Sequence, residues 1–381
     1  MTEIPADIWP GLRDIRVLDL SRLLPGGFAT VLMADLGADV IKVESPGDGD
    51  YGRVVDPEAF AALNRNKRSL VLDLRADEGR RTLLRLVERS DVVVESYRPG
   101  VLAGMGLGYE RLRAANPRIV LCSLTGFGQT GPYASRPGHD LNFLALSGFF
   151  AVPHRTEGSV DRVGVRVADL AGAMYAAYTT VVAVSAARAT GTGRHLDVSL
   201  HEAAAAWCGP LALPLLQHAD PADSPLVTGD NDVFTTADGG RIALATFEDK
   251  FWRTFRTALR EEFPALADDA YDRRAARTRA KKEIGALLTE VFAQRDLAWW
   301  TATLSALDLP WAPVYESAGE LLTDAHVRAR GLVGTLPGSA NEPSRRQVRF
   351  PVLCGDDVDS LRRPAPAHGE HTAEILAALD G

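Results

Sequence analysis

The first third of the chain alternates short apolar, β-branched runs with helix-forming segments, and that alternation restricts the fold more than any other feature. Ile15–Leu20 (IRVLDL), Ala38–Val43 (ADVIKV), Ser69–Leu72, Asp91–Val94 and Arg118–Ser123 are strand-length and nearly continuous in apolar residues. Runs of that kind belong to strands buried on both faces, as in a parallel sheet covered by helices. The segments between them supply the helices: the run FATVLMADLG, ending on Gly37 where a C-terminal glycine is expected, then Glu78–Arg89 and Tyr109–Ala115. Pro25-Gly26-Gly27 reads as a turn. The fold class is α/β.

The pattern changes further along. Residues 124–140 (LTGFGQTGPYASRPGHD) are dense in Gly, Pro, Ser and Thr and form a loop. Leu170–Ala187 then runs for 18 residues without a charge, but its Ala, Gly, Thr and Ser make it only weakly hydrophobic. Asp169 and Arg188 bracket it, so a buried helix fits better than a membrane span. From about 220 to 320, short strands (DVFTT, RIALAT) give way to charged amphipathic helices such as Phe251–Arg260 and Arg277–Phe292. This organisation predicts a large domain from 1–205 and 325–381, a smaller α+β domain over 220–320, and linkers at 206–219 and 321–324.

Composition narrows the partners. With 46% hydrophobic and 24% charged residues the chain is an ordinary globular one. Its 42 Lys and Arg against 50 Asp and Glu leave it acidic, which argues against nucleic acid as a partner. Cys122, Cys208 and Cys354 are odd in number and far apart, so neither a disulfide framework nor a Cys-x-x-Cys zinc site is expected. The N-terminal segment is acidic and lacks the basic start and apolar core of a signal peptide. A cytoplasmic protein with no membrane partner is the expectation.

Familiar catalytic signatures are missing: no H-E-x-x-H, no G-x-S-x-G, no phosphate-binding G-x-x-x-x-G-K-[ST], no G-x-G-x-x-G after the first strand, and no clustered metal ligands. Acid–base side chains at loop edges remain. His139 and Asp140 end the glycine-rich loop, Asp169 opens the apolar helix, and Glu248 stands in ATFEDKFW. Each also has a structural reading: Asp169 as a helix N-cap, His139 as a loop residue, and Glu248 as compensation of a helix dipole.

Several separated blocks carry more information: VLDLSRLLPGGFATVLMADLGADVIKVESPGDGD, LNRNKRSLVLDL, ESYRPGVLAGMGLGYERL, SLTGFGQTGPYASRPGHDLNFLALSG and PVYESAGELLTDAHVRARGLV. In this order they resemble the superfamily of family III CoA-transferases and α-methylacyl-CoA racemases, over most of 12–205 and again over 313–333. The resemblance implies an interlocked, ring-through-ring homodimer with a Rossmann-like large domain and a smaller one. It implies an acyl-CoA substrate and no cofactor apart from the coenzyme A of that substrate. An adenine slot is implied around Leu72, Leu74, Arg75, Ser96, Tyr97 and Arg98, with Met105 close by. Arg98 would hold phosphate, Asp140 the pantetheine arm, and Lys42 would stand in for an arginine replaced here by Ser45.

Asp169 falls on the family's signature aspartate. Gly-His-Asp at 138–140 and Glu248 resemble the racemases, where histidine and aspartate exchange an α-proton and a glutamate supports the histidine. The expectation is therefore an acyl-CoA racemase in which His139 and Asp169 serve opposite faces of the α-carbon through an enolate, with helix N-terminal amides near Asp169 holding the thioester oxygen. The stretch VGVRVADLAGAM looks more like the transferases, and Phe143 stands where the racemases tend to have tyrosine. The alternative is a CoA-transferase in which Asp169 attacks the thioester and carries CoA as an aspartyl thioester. A CoA-binding member without catalysis is the third reading.

Overall fold

Six strands form one sheet: β1 (Arg16–Asp19), β2 (Asp39–Glu44), β3 (Arg68–Val71), β4 (Val92–Glu95), β5 (Val120–Thr125) and β6 (His195–Ser199), in the order β3-β2-β1-β4-β5-β6. Every pairing is parallel. Val17 and Leu18 of β1, Ile41 of β2, Val92–Val94 of β4 and Val120 of β5 are almost wholly buried, as strands covered on both faces must be. The computed structural model describes residues 11–152, 163–217, 224, 227–338, 343–353 and 360–381. Cys354 lies outside these.

The described residues fall into two compact units. The first takes the chain up to Phe149, residues 163–208 and the chain from Ala325 onward; the second is built mainly from Gly209–Asp324. The first holds the parallel sheet and an antiparallel ribbon of β10 (Val333–Leu336) and β11 (Arg345–Val348). The second holds a three-stranded antiparallel sheet, β7 (Asn231–Thr235), β8 (Arg241–Ala245) and β9 (Trp311–Pro313). Its core is aromatic: Phe234, Trp252, Phe255, Phe263, Phe292 and Trp300 pack together.

In the first unit the chain winds outward from β1 to β3 and then returns to β4 on the other side of β1. In doubly wound sheets such a reversal opens a crevice at the carboxyl ends of the two diverging strands, where ligands bind. Here those ends are Asp19-Leu20-Ser21-Arg22 and Glu95-Ser96-Tyr97-Arg98.

Two sequence expectations are corrected. Pro25-Gly26-Gly27 is not a turn but lies within the first helix, Leu23–Asp35. Proline fits a first helical turn, where its missing N–H has no helical acceptor to lose, and a Cβ on Gly26 would sit 2.1 Å from the Ser21 side chain. The helix expected over Arg277–Phe292 is two helices, Arg274–Arg279 and Lys281–Phe292, broken at Ala280. The apolar segment after Asp169 is one helix, Val167–Thr190. Among the described residues it is the one helix long and apolar enough to cross a membrane, and half of that apolar window is buried. Its small residues, Ala171, Gly172, Ala176, Ala183 and Ala187 among them, form the buried side, and the helix packs on β5 and on Leu23–Asp35.

Candidate active site

The site is built where β5 ends. The glycine-rich loop leaves β5, and the helix Asp140–Leu146 follows it. Phe143 on that helix is buried, with Phe127 edge-on at 5.2 Å between ring centroids. A Cβ on Gly126 would lie 2.4 Å from the Phe143 ring, and one on Gly138 would lie 2.6 Å from it. Only glycine at both ends lets the loop close on this ring, which holds His139 and Asp140 in place. His139 is the N-cap of the short helix: its N–H donates to Asn142 Oδ1 at 3.0 Å, and its carbonyl accepts from the Asn142 N–H at 2.8 Å. The imidazole is exposed.

Asp140 points inward, 4% exposed, and its Oδ1 accepts the backbone N–H of Asp169 at 3.1 Å. Asp169 is thus not the N-cap of the Val167–Thr190 helix; Arg166 is, and the capping carboxylate comes from Asp140, 29 residues earlier. The same contact places two carboxyl groups close together. Burial first, and then the Asp140 charge, push the Asp169 carboxyl up to about 7, with the Arg166 guanidinium opposing them. Such a group changes ionisation near neutrality and becomes a relatively basic carboxylate when it loses its proton.

The amides expected to hold a thioester oxygen are largely committed. Val167 N–H donates to Val165, Asp169 N–H to Asp140 and Leu170 N–H to Arg166. Glu248 lies in the second unit as the exposed N-cap of the helix Asp249–Leu259. Its turn is anchored by the buried Arg277, which donates to the Phe247 carbonyl at 2.9 Å and pairs with Asp230 at 2.5 Å.

The residues expected around coenzyme A come together in part. Leu72 and Leu74 belong to one buried apolar cluster, and Tyr97 and Met105 pack against it. Ser96 Oγ accepts the Arg22 N–H at 3.0 Å. Arg75 and Arg98 are exposed on the turns after β3 and β4. Lys42 requires correction: it is wholly buried, its ammonium 2.8 Å from Asp50 and 3.1 Å from the Ser21 carbonyl, so its charge is spent inside the protein. A small pocket at the sheet reversal, lined by Ser21, Arg22, Glu44, Asp50 and Tyr97 among others, escaped sequence reasoning. The available signal was Ser21-Arg22 standing directly after the first strand of a doubly wound sheet.

Comparison with known proteins gives the family. The model of CoA-transferase family III matches residues 12–372. The succinate–glutarate CoA-transferase of Agrobacterium fabrum is 35% identical, with 100% of this chain and 98% of that protein aligned. The succinyl-CoA:mesaconate CoA-transferase of Haloarcula hispanica is 34% identical, covering 96% of this chain and 95% of that one. A CAIB/BAIF family protein from Brucella suis superposes with a TM-score of 0.83 at 30% identity, covering 96% and 98% of the two chains. The Agrobacterium and Haloarcula relatives are named as CoA-transferases, which overturns the expectation of an α-proton racemase; the proton-exchange role of His139 and the support by Glu248 fall with it. The chain belongs to CoA-transferase family III.

Proposed function

We propose that the protein moves coenzyme A from an acyl-CoA donor to a carboxylic acid acceptor, with Asp169 as the nucleophile. The observation that carries this reading is a basic, partly buried carboxylate at a helix start on the carboxyl edge of the sheet. An Asp169 oxygen attacks the thioester carbonyl, forming a mixed anhydride and releasing CoA thiolate. The thiolate attacks the Asp169 carboxyl carbon, releasing the donor acid and leaving an aspartyl-CoA thioester. The acceptor carboxylate attacks that thioester and again releases the thiolate, which takes the acyl group and frees Asp169. Each step exchanges one acyl–oxygen or acyl–sulfur bond for another, so no redox partner is needed.

The names of the relatives favour short dicarboxylic acids as substrates. A homodimer fits as well: Met174, Tyr178 and Val182 recur every fourth residue on the outer side of the Val167–Thr190 helix and are 46%, 67% and 52% exposed. The test is to incubate the protein with succinyl-CoA and glutarate and follow the acyl-CoA products by chromatography. Glutaryl-CoA should form, and hydroxylamine should trap an adduct on Asp169 that Asp169→Asn lacks. Failure of a series of carboxylates to accept CoA, with no adduct trapped, would refute the reading.

A further inference from the structure

The turn joining β1 to the first helix is held in an unfavourable conformation. Leu23 has φ +60°, a left-handed backbone rarely adopted by a residue with a Cβ. Strain of this kind persists only where the surroundings over-determine it, and it gathers at functional sites. Three successive N–H groups are each held by a different side chain: Ser21 donates to Asp19 Oδ1 at 3.0 Å, Arg22 to Ser96 Oγ at 3.0 Å, and Leu23 to Asp50 Oδ1 at 3.3 Å.

Asp50 is 3% exposed and Lys42 is fully buried, and the two form an ion pair at 2.8 Å. The pair grips the backbone on both sides of Arg22. Lys42 donates to the Ser21 carbonyl at 3.1 Å, while Asp50 accepts from Leu23 and also from Gly52 at 2.8 Å. Arg22 itself is exposed and lines the pocket at the sheet reversal, its guanidinium carbon 5.8 Å from the centre of the Tyr97 ring. A guanidinium fork recognises carboxylate and phosphate oxygens, and holding its backbone rigid lowers the entropy lost when an anion binds.

We infer that Arg22 is an anion-recognising residue of this pocket and that the buried Lys42–Asp50 pair is the device that positions it. The anion is an oxyanion of a CoA phosphate or of the acceptor carboxylate, and the inference rests on the transferase reading only for the second. Arg22 is exposed, so its truncation leaves the fold intact. Titration of Arg22→Ala with free CoA, and its KM for glutarate, should show one of the two constants raised about 10–100-fold. A shift in the CoA constant assigns a phosphate; a shift in KM assigns the acceptor. Both staying within twofold of the parent overturns the inference. A chain that binds CoA without turning over refutes the transferase reading, yet the CoA titration still decides the role of Arg22.

The positioning role has its own test. Asp50→Asn keeps an acceptor for Leu23 but loses the charge facing Lys42, and it should raise the same constant as Arg22→Ala. Adding Leu23→Gly should restore that constant without a further loss of Tm, because glycine adopts positive φ without the strain a Cβ imposes, which offsets the freedom it gains in the unfolded chain. A double variant that loses Tm without recovering the constant would make the ion pair purely structural and overturn the positioning claim.

Discussion

Replacing Asp140 by Asn tests the electrostatics of the site, because it removes a charge and little else. The amide is the same size as the carboxylate and its Oδ1 can still accept the Asp169 N–H, now at 3.1 Å. Burial continues to raise the Asp169 carboxyl, but the like charge that adds to it is gone. With Asp169 titrating at about 7, about half of the parent molecules carry the nucleophilic carboxylate at pH 7, and about 9% at pH 6. A fall in the variant raises the ionised share most at pH 6, where little of the parent is ionised, and changes it little at pH 8, where about nine-tenths of the parent already is. The acid limb of the pH–rate profile for CoA exchange should therefore move down in Asp140→Asn. The alkaline plateau should drop, because a less basic carboxylate is a poorer nucleophile. Arg166→Gln removes an opposing charge and should move the same limb up. Initial rates between pH 5.5 and 9, measured chromatographically under saturating substrates, read both effects. An acid limb that stays put in Asp140→Asn, or moves up, would show that the Asp140 charge does not govern the reacting group.

Three further outcomes follow from the packing. Arg277→Ala leaves Asp230 buried without its partner and should cost the small unit about 3–5 kcal/mol, read as a lower urea midpoint. Gly126→Ala drives a methyl group to within 2.4 Å of the Phe143 ring and must shift the helix that carries Asp140; kcat should fall on the order of 10–100-fold, and unchanged kinetics would mean that Phe143 does not hold the site. Tyr178→Glu puts a charge in the middle of the exposed apolar stripe and should convert a dimer to monomers in sedimentation experiments; a parent protein that is already monomeric would refute the stripe as a contact surface.

The sheet is legible because its strands are buried on both faces, and IRVLDL, ADVIKV and the β4 segment carry that requirement in most of their residues. The start of the first helix is not. Pro25-Gly26-Gly27 reads locally as a turn, and only the tertiary contact of Gly26 with Ser21 explains glycine inside a helix. The burial of Lys42 is illegible for a related reason. Nothing local tells a lysine inside ADVIKV that Asp50 and the Ser21 carbonyl will enclose it. The switch-point pocket depends on strand order, and strand order is set by crossovers that local periodicity does not encode.

The reaction class failed to emerge for a more instructive reason. Gly138-His139-Asp140 carried the racemase reading, yet each of its residues already has a structural task on this chain. Gly138 gives way to the Phe143 ring, His139 starts its own helix through Asn142, and Asp140 supplies the cap of the helix bearing Asp169. On this chain the cap holds the start of that helix whether Asp169 accepts a proton or attacks a carbonyl. The motif therefore reports that Asp169 is held and raised, not what it does next. Discrimination lies in what surrounds the carboxylate once the acyl group is bound: a second acid–base group across the α-carbon for proton exchange, or room for an acceptor carboxylate to reach the aspartyl carbon for transfer.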